Sequence, residues 1–241
     1  MAATIDLTSS SSNLVSYLYS WQNGFTNNYG SFWNATDGIV TVPDDTATYD
    51  QWGAGTSGSN GIVMDGEMQY ASQGNLTGDV DTITLGTGYS ESTSGGISVS
   101  SELVITNDAS FDTSGALDAL DYAIYGLTVL GSTSYLFDYL AEVGTVINDT
   151  AASDVLTGFG GADTFVFSGG NDTVVASPDG STSGYLDGTD LLDVSAWGVT
   201  SFASLGITDL GYAAQVAFGS DSIVLVGTDY TDLDASDFLF A

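Results

Sequence analysis

Asp154, Asp163 and Asp172 stand nine residues apart in NDTAASDVLTGFGGADTFVFSGGNDTVV, residues 148–175. Each is followed two positions later by an apolar residue: Leu156, Phe165 and Val174. This spacing suits calcium. Six residues form a turn whose carbonyls and aspartate carboxylate face a cation, and the next three form a short strand that points one apolar side chain inward. Glycine lets the turn backbone reach positive φ. The second copy has Gly158, Gly160 and Gly161 there, and the third has Gly169 and Gly170 before Asn171. The first copy, 149–157, keeps only the aspartate and the apolar position. Two nonapeptides complete one coil, so Asp154 and Asp172 are expected to share an ion while Asp163 faces the other side. Asp187, Asp190 and Asp193 are candidate further ligands at the end of the coil, although turn formation explains them equally well. An ordinary series of Gly/Asp hairpins is the competing structural explanation of the whole stretch.

The composition leaves little other chemistry. The 241 residues include 31 acidic ones and no lysine, arginine or histidine, a formal charge of −31, and there is no cysteine. Histidine-based triads, zinc sites of the usual kind, disulfides, Schiff bases and phosphate-binding lysines are therefore absent. With no cation to meet phosphate, nucleic acid is excluded as a partner, and anionic membranes should repel the chain. Carboxylate, hydroxyl, amide and carbonyl groups remain, which are hard oxygen ligands fit for Ca2+. Paired carboxylates can also run hydrolysis. However, the nearest thing to a catalytic motif, FDTSG at 111–115, sits where a helix should start and where Asp and Thr serve as caps. The chain is expected not to be an enzyme.

Two domains are expected to position these residues, 1–147 and 148–241. In the first, NLVSYLYSW (13–21) has helical apolar spacing after a serine run. Alternating strands follow in GEMQYASQ, GNLTGDVDTITLG and GISVSSELVI, between residues 66 and 105. Asp112 to Gly115 then open a helix with Leu117, Leu120, Ile124 and Leu127 on one face. Ser132-Thr133 cap another carrying Leu136, Tyr139, Leu140 and Val143. The class is α+β: a curved antiparallel sheet packed on helices, followed by a short parallel roll and a β-rich C-terminal cap. Of the tryptophans, Trp21 and Trp197 read as core, while Trp33 and Trp52, in a Gly/Asn-rich region, could be exposed and serve a glycan.

DVLTGFGGADTFVF, NDTVV, GTDLLDVSAWGVTSFASL, SIVLVG and DASDFLFA make residues 153–241 resemble the C-terminal part of repeats-in-toxin (RTX) proteins. That resemblance implies a roll that binds calcium outside the cell and an uncleaved C-terminal signal read by a type I exporter of a Gram-negative bacterium. The N-terminus has no positive segment or long apolar run of the general secretory kind. NLTGDVDTITLGTGY, SELVITNDASFDTSGALDALDYAIYGL and LFDYLAEVG make residues 60–145 resemble the bacterial haemophores (HasA-like), which leave by the same route and hold haem through a histidine and a tyrosine. The chain has no histidine. Tyr70 lies near where the tyrosine ligand would fall, but haem propionates would find no cation here.

The function expected from these features is that of a secreted, calcium-binding structural protein. It should self-assemble into an extracellular filament, surface layer or biofilm matrix once calcium offsets its charge. A haemophore-like protein capturing a small ligand, and a glycan-binding or glycan-hydrolysing module, are the alternatives.

Overall fold

The computed structural model describes residues 2–72, 75–107, 117–177 and 179–241. In chain order the strands are β1 (Ala3–Leu7), β2 (Ser31–Asn34), β3 (Gly38–Val40), β4 (Tyr49–Gly55), β5 (Gly61–Ser72), β6 (Asn75–Ser92), β7 (Gly96–Asn107) and β8 (Thr145–Asn148). They continue as β9 (Val155–Leu156), β10 (Asp163–Val166), β11 (Asn171–Val174), β12 (Leu191–Asp193), β13 (Gly206–Asp209), β14 (Ala213–Phe218), β15 (Asp221–Val226) and β16 (Phe238–Leu239). The helices are α1 (Leu14–Gly24), α2 (Ala119–Tyr125) and α3 (Ser134–Val143), with a π turn over Gly126–Leu130. No helix among the described residues is long and apolar enough to cross a membrane.

The chain divides into two compact units, residues 18–139 and residues 2–17 with 140–241. The division differs from the expected 1–147 and 148–241 because β1 pairs in parallel with β8, Ile5 opposite Ile147, which carries the N-terminal strand into the second unit.

The first unit is an antiparallel sheet in the order β7-β6-β5-β4-β2-β3. Successive side chains of its long strands point to opposite faces, as in any strand. Ile62 and Met64 point one way, while Val63 points the other and packs with Tyr89 and Ile97. Trp21 is buried, stacks on Phe25 and donates its Nε1–H to the Gly86 carbonyl at 3.1 Å, pinning α1 to the sheet. Gln22 reaches the Leu127 carbonyl at 2.9 Å and ties α1 to the π turn.

Asp118 caps α2 through a reciprocal box with Asp121. The expected opening at 112–115 lies outside the described residues. Leu117 does not join the apolar face: it precedes the helix and is 49% exposed, whereas Leu120, Ile124 and Leu127 are buried. In α3, Leu136, Tyr139 and Leu140 are buried as the spacing predicts, and Val143 is half-buried.

In the second unit two stacks of parallel strands form. One runs β16-β12-β10-β8-β1, the other β15-β11-β9, extended by the antiparallel strands β14 and β13. The nine-residue rhythm becomes an 18-residue register on both stacks. Thr145 lies opposite Asp163 on one, and Val155 opposite Thr173 on the other. Leu156, Phe165, Val174 and Leu192 are wholly buried between them. Val155 N–H donates to the Ser12 carbonyl at 2.7 Å, so the edge at β9 is partly covered by the N-terminal segment.

Candidate metal centre

Two buried aspartates of the roll, Asp163 and Asp190, follow a common rule. One carboxylate oxygen accepts a backbone N–H from the preceding coil, and the other accepts the N–H of the residue four positions earlier. Asp163 Oδ1 takes Thr145 N–H at 2.9 Å and Thr145 Oγ1–H at 2.6 Å, and its Oδ2 takes Phe159 N–H at 2.8 Å. Asp190 Oδ1 takes Asp163 N–H at 2.9 Å and Oδ2 takes Leu186 N–H at 2.8 Å. These carboxylates are fully used as structural acceptors, a common way to satisfy turn N–H groups inside a protein. Burial still pushes Asp163 up and Asp190 up to about 6, because desolvation outweighs the hydrogen bonds.

The rule breaks at Asp172. Its Oδ1 accepts Asp154 N–H at 2.9 Å, the usual bond to the coil below. The residue four positions earlier is Ser168, and its N–H goes instead to Asp149 Oδ1 at 2.7 Å. Asp172 Oδ2 is left with no hydrogen-bond partner, and so are Asp149 Oδ2 and Asp154 Oδ1. Asp154 Oδ2 is occupied by Thr150 N–H and Oγ1–H, at 3.0 and 2.7 Å. The three aspartates are buried, and each presents one ligand oxygen within 4.8 Å of the others. Three clustered buried aspartates, each with one orphaned carboxylate oxygen, in a chain without lysine, arginine or histidine are an unfavourable arrangement unless a proton or a cation joins them.

The electrostatics reflect that cost. Desolvation, then the charges of Asp149, Asp154 and Asp221, push Asp172 up to about 7 despite the Asp154 N–H bond. Desolvation and the neighbouring Asp154 push Asp149 up to about 6 against its bonds from Ser168. An all-oxygen set with three negative charges fits Ca2+, which takes 6–8 oxygens from carboxylates, carbonyls and water. A tetrahedral N/S metal has no ligands here. Asp149, Asp154 and Asp172 would hold the ion.

The structure thus brings together two of the expected ligands, Asp154 and Asp172, and sets Asp163 and Asp190 apart as hydrogen-bond acceptors. Asp193 Oδ1 accepts Ser195 N–H at 2.9 Å and lies outside the cluster, and Asp187 is exposed. Asn171 Oδ1 accepts from Ser222 Oγ at 2.9 Å. The glycines build turns. Gly170 sits at φ +109°, and a Cβ there would strike the Ala152 carbonyl. Gly158 approaches the Gly184 carbonyl just as closely, Gly161 that of Ala141, and Gly160 and Gly169 take positive φ. Asp149 was not among the ligands expected from spacing. Its signal is the repeated triplet Asn148-Asp149-Thr150 and Asn171-Asp172-Thr173.

Tyr70 belongs to a different place, a cleft of the first unit shared with Tyr29, Phe32, Trp52, Asp121 and Tyr125 and holding about 80 Å3. Its ring meets Phe32 edge-on with centroids 5.6 Å apart. Trp52 is not an exposed platform: it is buried in β4 opposite Met64, because alternation turns it into the core. Trp33 is half-buried and donates Nε1–H to the Thr93 carbonyl at 3.1 Å. Trp197 is buried against Phe167, as core residues are.

No family model and no curated protein matches the chain. Among solved structures it is similar to the holo haemophore HasA of Yersinia pestis, with 19% identity, a TM-score of 0.46, and a match covering 59% of this chain and 90% of that one. An apo form of the same protein gives the same figures, 19%, 0.46, 59% and 90%. A mutant HasA monomer of Yersinia pseudotuberculosis is 18% identical at a TM-score of 0.46, again over 59% and 90%. A likeness of this size carries no statement about ligand or activity.

Proposed function

We propose that the chain is a secreted calcium-binding protein of structural role, in which Ca2+ held by Asp149, Asp154 and Asp172 completes the fold of the roll unit. The observation that carries this reading is that Asp149, Asp154 and Asp172, buried and clustered, each keep one carboxylate oxygen without a partner, against the hydrogen-bonding rule that Asp163 and Asp190 follow. Cytosolic calcium is scarce, whereas extracellular modules bind with Kd values of about 10⁻⁴ to 10⁻³ M. The unit would therefore stay incomplete until it is outside the cell. The charge of −31 supports the same reading, since divalent ions would then provide the counter-charge that lysine and arginine supply elsewhere. Thermal unfolding in calcium and in chelator tests it: a melting temperature indifferent to calcium would refute it.

Assembly into a filament, layer or matrix is the finer part of this proposal. Edge-to-edge pairing is limited, because β16 has 2 residues, β3 has 3, the edge at β9 is partly covered, and the remaining edge strand, β13, has only 4. A polymer would form through other surfaces. Negative-stain microscopy with calcium and with chelator decides, and particles that stay monomeric at high concentration with calcium would end the idea.

A second reading, capture of a small ligand, rests on the aromatic cleft around Tyr70. Its volume of about 80 Å3 is below the range of about 300–1,000 Å3 common for ligand pockets, and no cation faces it to pair a propionate. It suits something smaller than haem. Titration with haem tests the haem version, which stands only if a Soret shift appears and is lost in Tyr70→Phe.

A further inference from the structure

A second cleft lies at the far end of the β13–β15 layer, within the roll unit. It holds about 300 Å3 and is lined by Asp209, Gly211, Tyr212, Ala213 and the 227–230 loop. Its frame is set by the backbone. Leu210 N–H donates to the Ala213 carbonyl and Gly227 N–H to the Tyr212 carbonyl, both at 3.0 Å, so the two loops are tied together. Gly211 and Gly227 take φ of +80° and +86°, which turns both loops at the cleft.

Two exposed tyrosines line the cleft: Tyr212 is 67% exposed and Tyr230 42%. Asp209 spends Oδ1 on Gly211 N–H at 2.6 Å, and Asp229 spends Oδ1 on Thr231 N–H and Oγ1–H at 2.9 and 2.8 Å. Each keeps its second oxygen without a partner among the described residues. The Thr231 bonds hold Asp229 below the usual carboxylate range, so it is an ionised acceptor. No basic side chain exists anywhere in the chain to neutralise either carboxylate. Two acceptor-only anions beside two tyrosine rings favour a ligand that brings positive charge. A neutral polyol would leave both charges uncompensated on being covered. An alkylammonium group can donate hydrogen bonds to carboxylates and pair with tyrosine rings as a cation–π partner. The net charge of the whole molecule raises its local concentration.

We propose that the cleft between Asp209, Tyr212, Asp229 and Tyr230 is a binding site for a small alkylammonium cation. The assay is a titration of the full chain, in saturating calcium at fixed ionic strength, with putrescine, followed by NMR of ring-labelled tyrosine. Tyrosine signals are assigned with Tyr212→Phe and Tyr230→Phe. Saturable shifts confined to Tyr212 and Tyr230, weakened about tenfold in Asp209→Asn/Asp229→Asn but not in Asp45→Asn, an exposed carboxylate of the first unit, are the expected result. Equal weakening in Asp45→Asn would show only the diffuse field of an acidic protein and overturn the site. Saturation by methyl glucoside with no response to putrescine would also overturn it, in favour of a neutral sugar. A cooperative melting transition like that of the wild type shows whether each variant is folded.

Discussion

Replacing Asp172 by Asn should stabilise the calcium-free protein and abolish its response to calcium. The asparagine Oδ1 can still accept Asp154 N–H, the 2.9 Å bond that joins the two coils. Its amide nitrogen adds a donor where Asp149 Oδ2 and Asp154 Oδ1 have none. The magnitude follows from the cost of keeping Asp172 ionised. A rise from 3.8 to about 7 corresponds to about 4 kcal/mol at about 1.4 kcal/mol per pH unit, and relaxation around the ion-free cluster lowers this to about 2 kcal/mol. For a protein of this size that raises the Tm in chelator at pH 7.5 by about 4–8 °C. The wild type should gain about 2.7 kcal/mol when calcium reaches a hundred times its Kd, a Tm rise of about 5–11 °C. Differential scanning calorimetry of both proteins, in chelator and in 10 mM calcium (roughly a hundredfold over a Kd of about 10⁻⁴ M), reads all four numbers. An Asp172→Asn protein less stable than wild type in chelator would refute the reasoning, as would one that keeps the full calcium-dependent rise.

Other predictions rest on neighbouring features. Without calcium, the raised Asp172 and Asp149 make the folded state bind more protons than the unfolded chain; this stability is present in full below about pH 4 and lost as pH rises through about 6–7. Chelated protein should therefore melt lower at pH 8 than at pH 5, and the calcium-dependent increment should shrink as pH falls through about 7 to 6. Asp163→Asn should cost about 1–3 kcal/mol, to the same extent with and without calcium, because that carboxylate holds Thr145 and Phe159 rather than the ion. A loss seen only with calcium would contradict this role. Gly170→Ala should destabilise the roll by more than about 1 kcal/mol, since φ +109° is strained for alanine and its Cβ meets the Ala152 carbonyl; an unchanged urea midpoint would count against it.

Much of the roll is legible in the chain because its register is a sequence period. The nine-residue spacing predicts an 18-residue coil, and both Thr145–Asp163 and Val155–Thr173 pair at that offset. Side-chain roles were less legible. Asp154, Asp163, Asp172 and Asp190 look alike in sequence, yet Asp163 and Asp190 have both oxygens held by N–H donors, whereas Asp172 loses the Ser168 N–H to Asp149 and Asp154 has no donor from a preceding coil. Asp149 falls outside the nine-residue phase, five positions before Asp154, so only its Asn-Asp-Thr context marks it. Residues 2–17 join the roll unit through a parallel pairing more than 100 residues distant, which no local pattern announces. The Gly/Asn-rich surroundings of Trp52 leave either exposure or packing open, and strand alternation turns it inward.

A crystal structure of the full chain grown in calcium, with anomalous scattering to identify the ion, tests the central claim most directly. The account predicts an ion within about 2.3–2.6 Å of Asp149 Oδ2, Asp154 Oδ1 and Asp172 Oδ2. Carboxylates joined only by protons or water at saturating calcium, with the ion bound elsewhere or not at all, would contradict it.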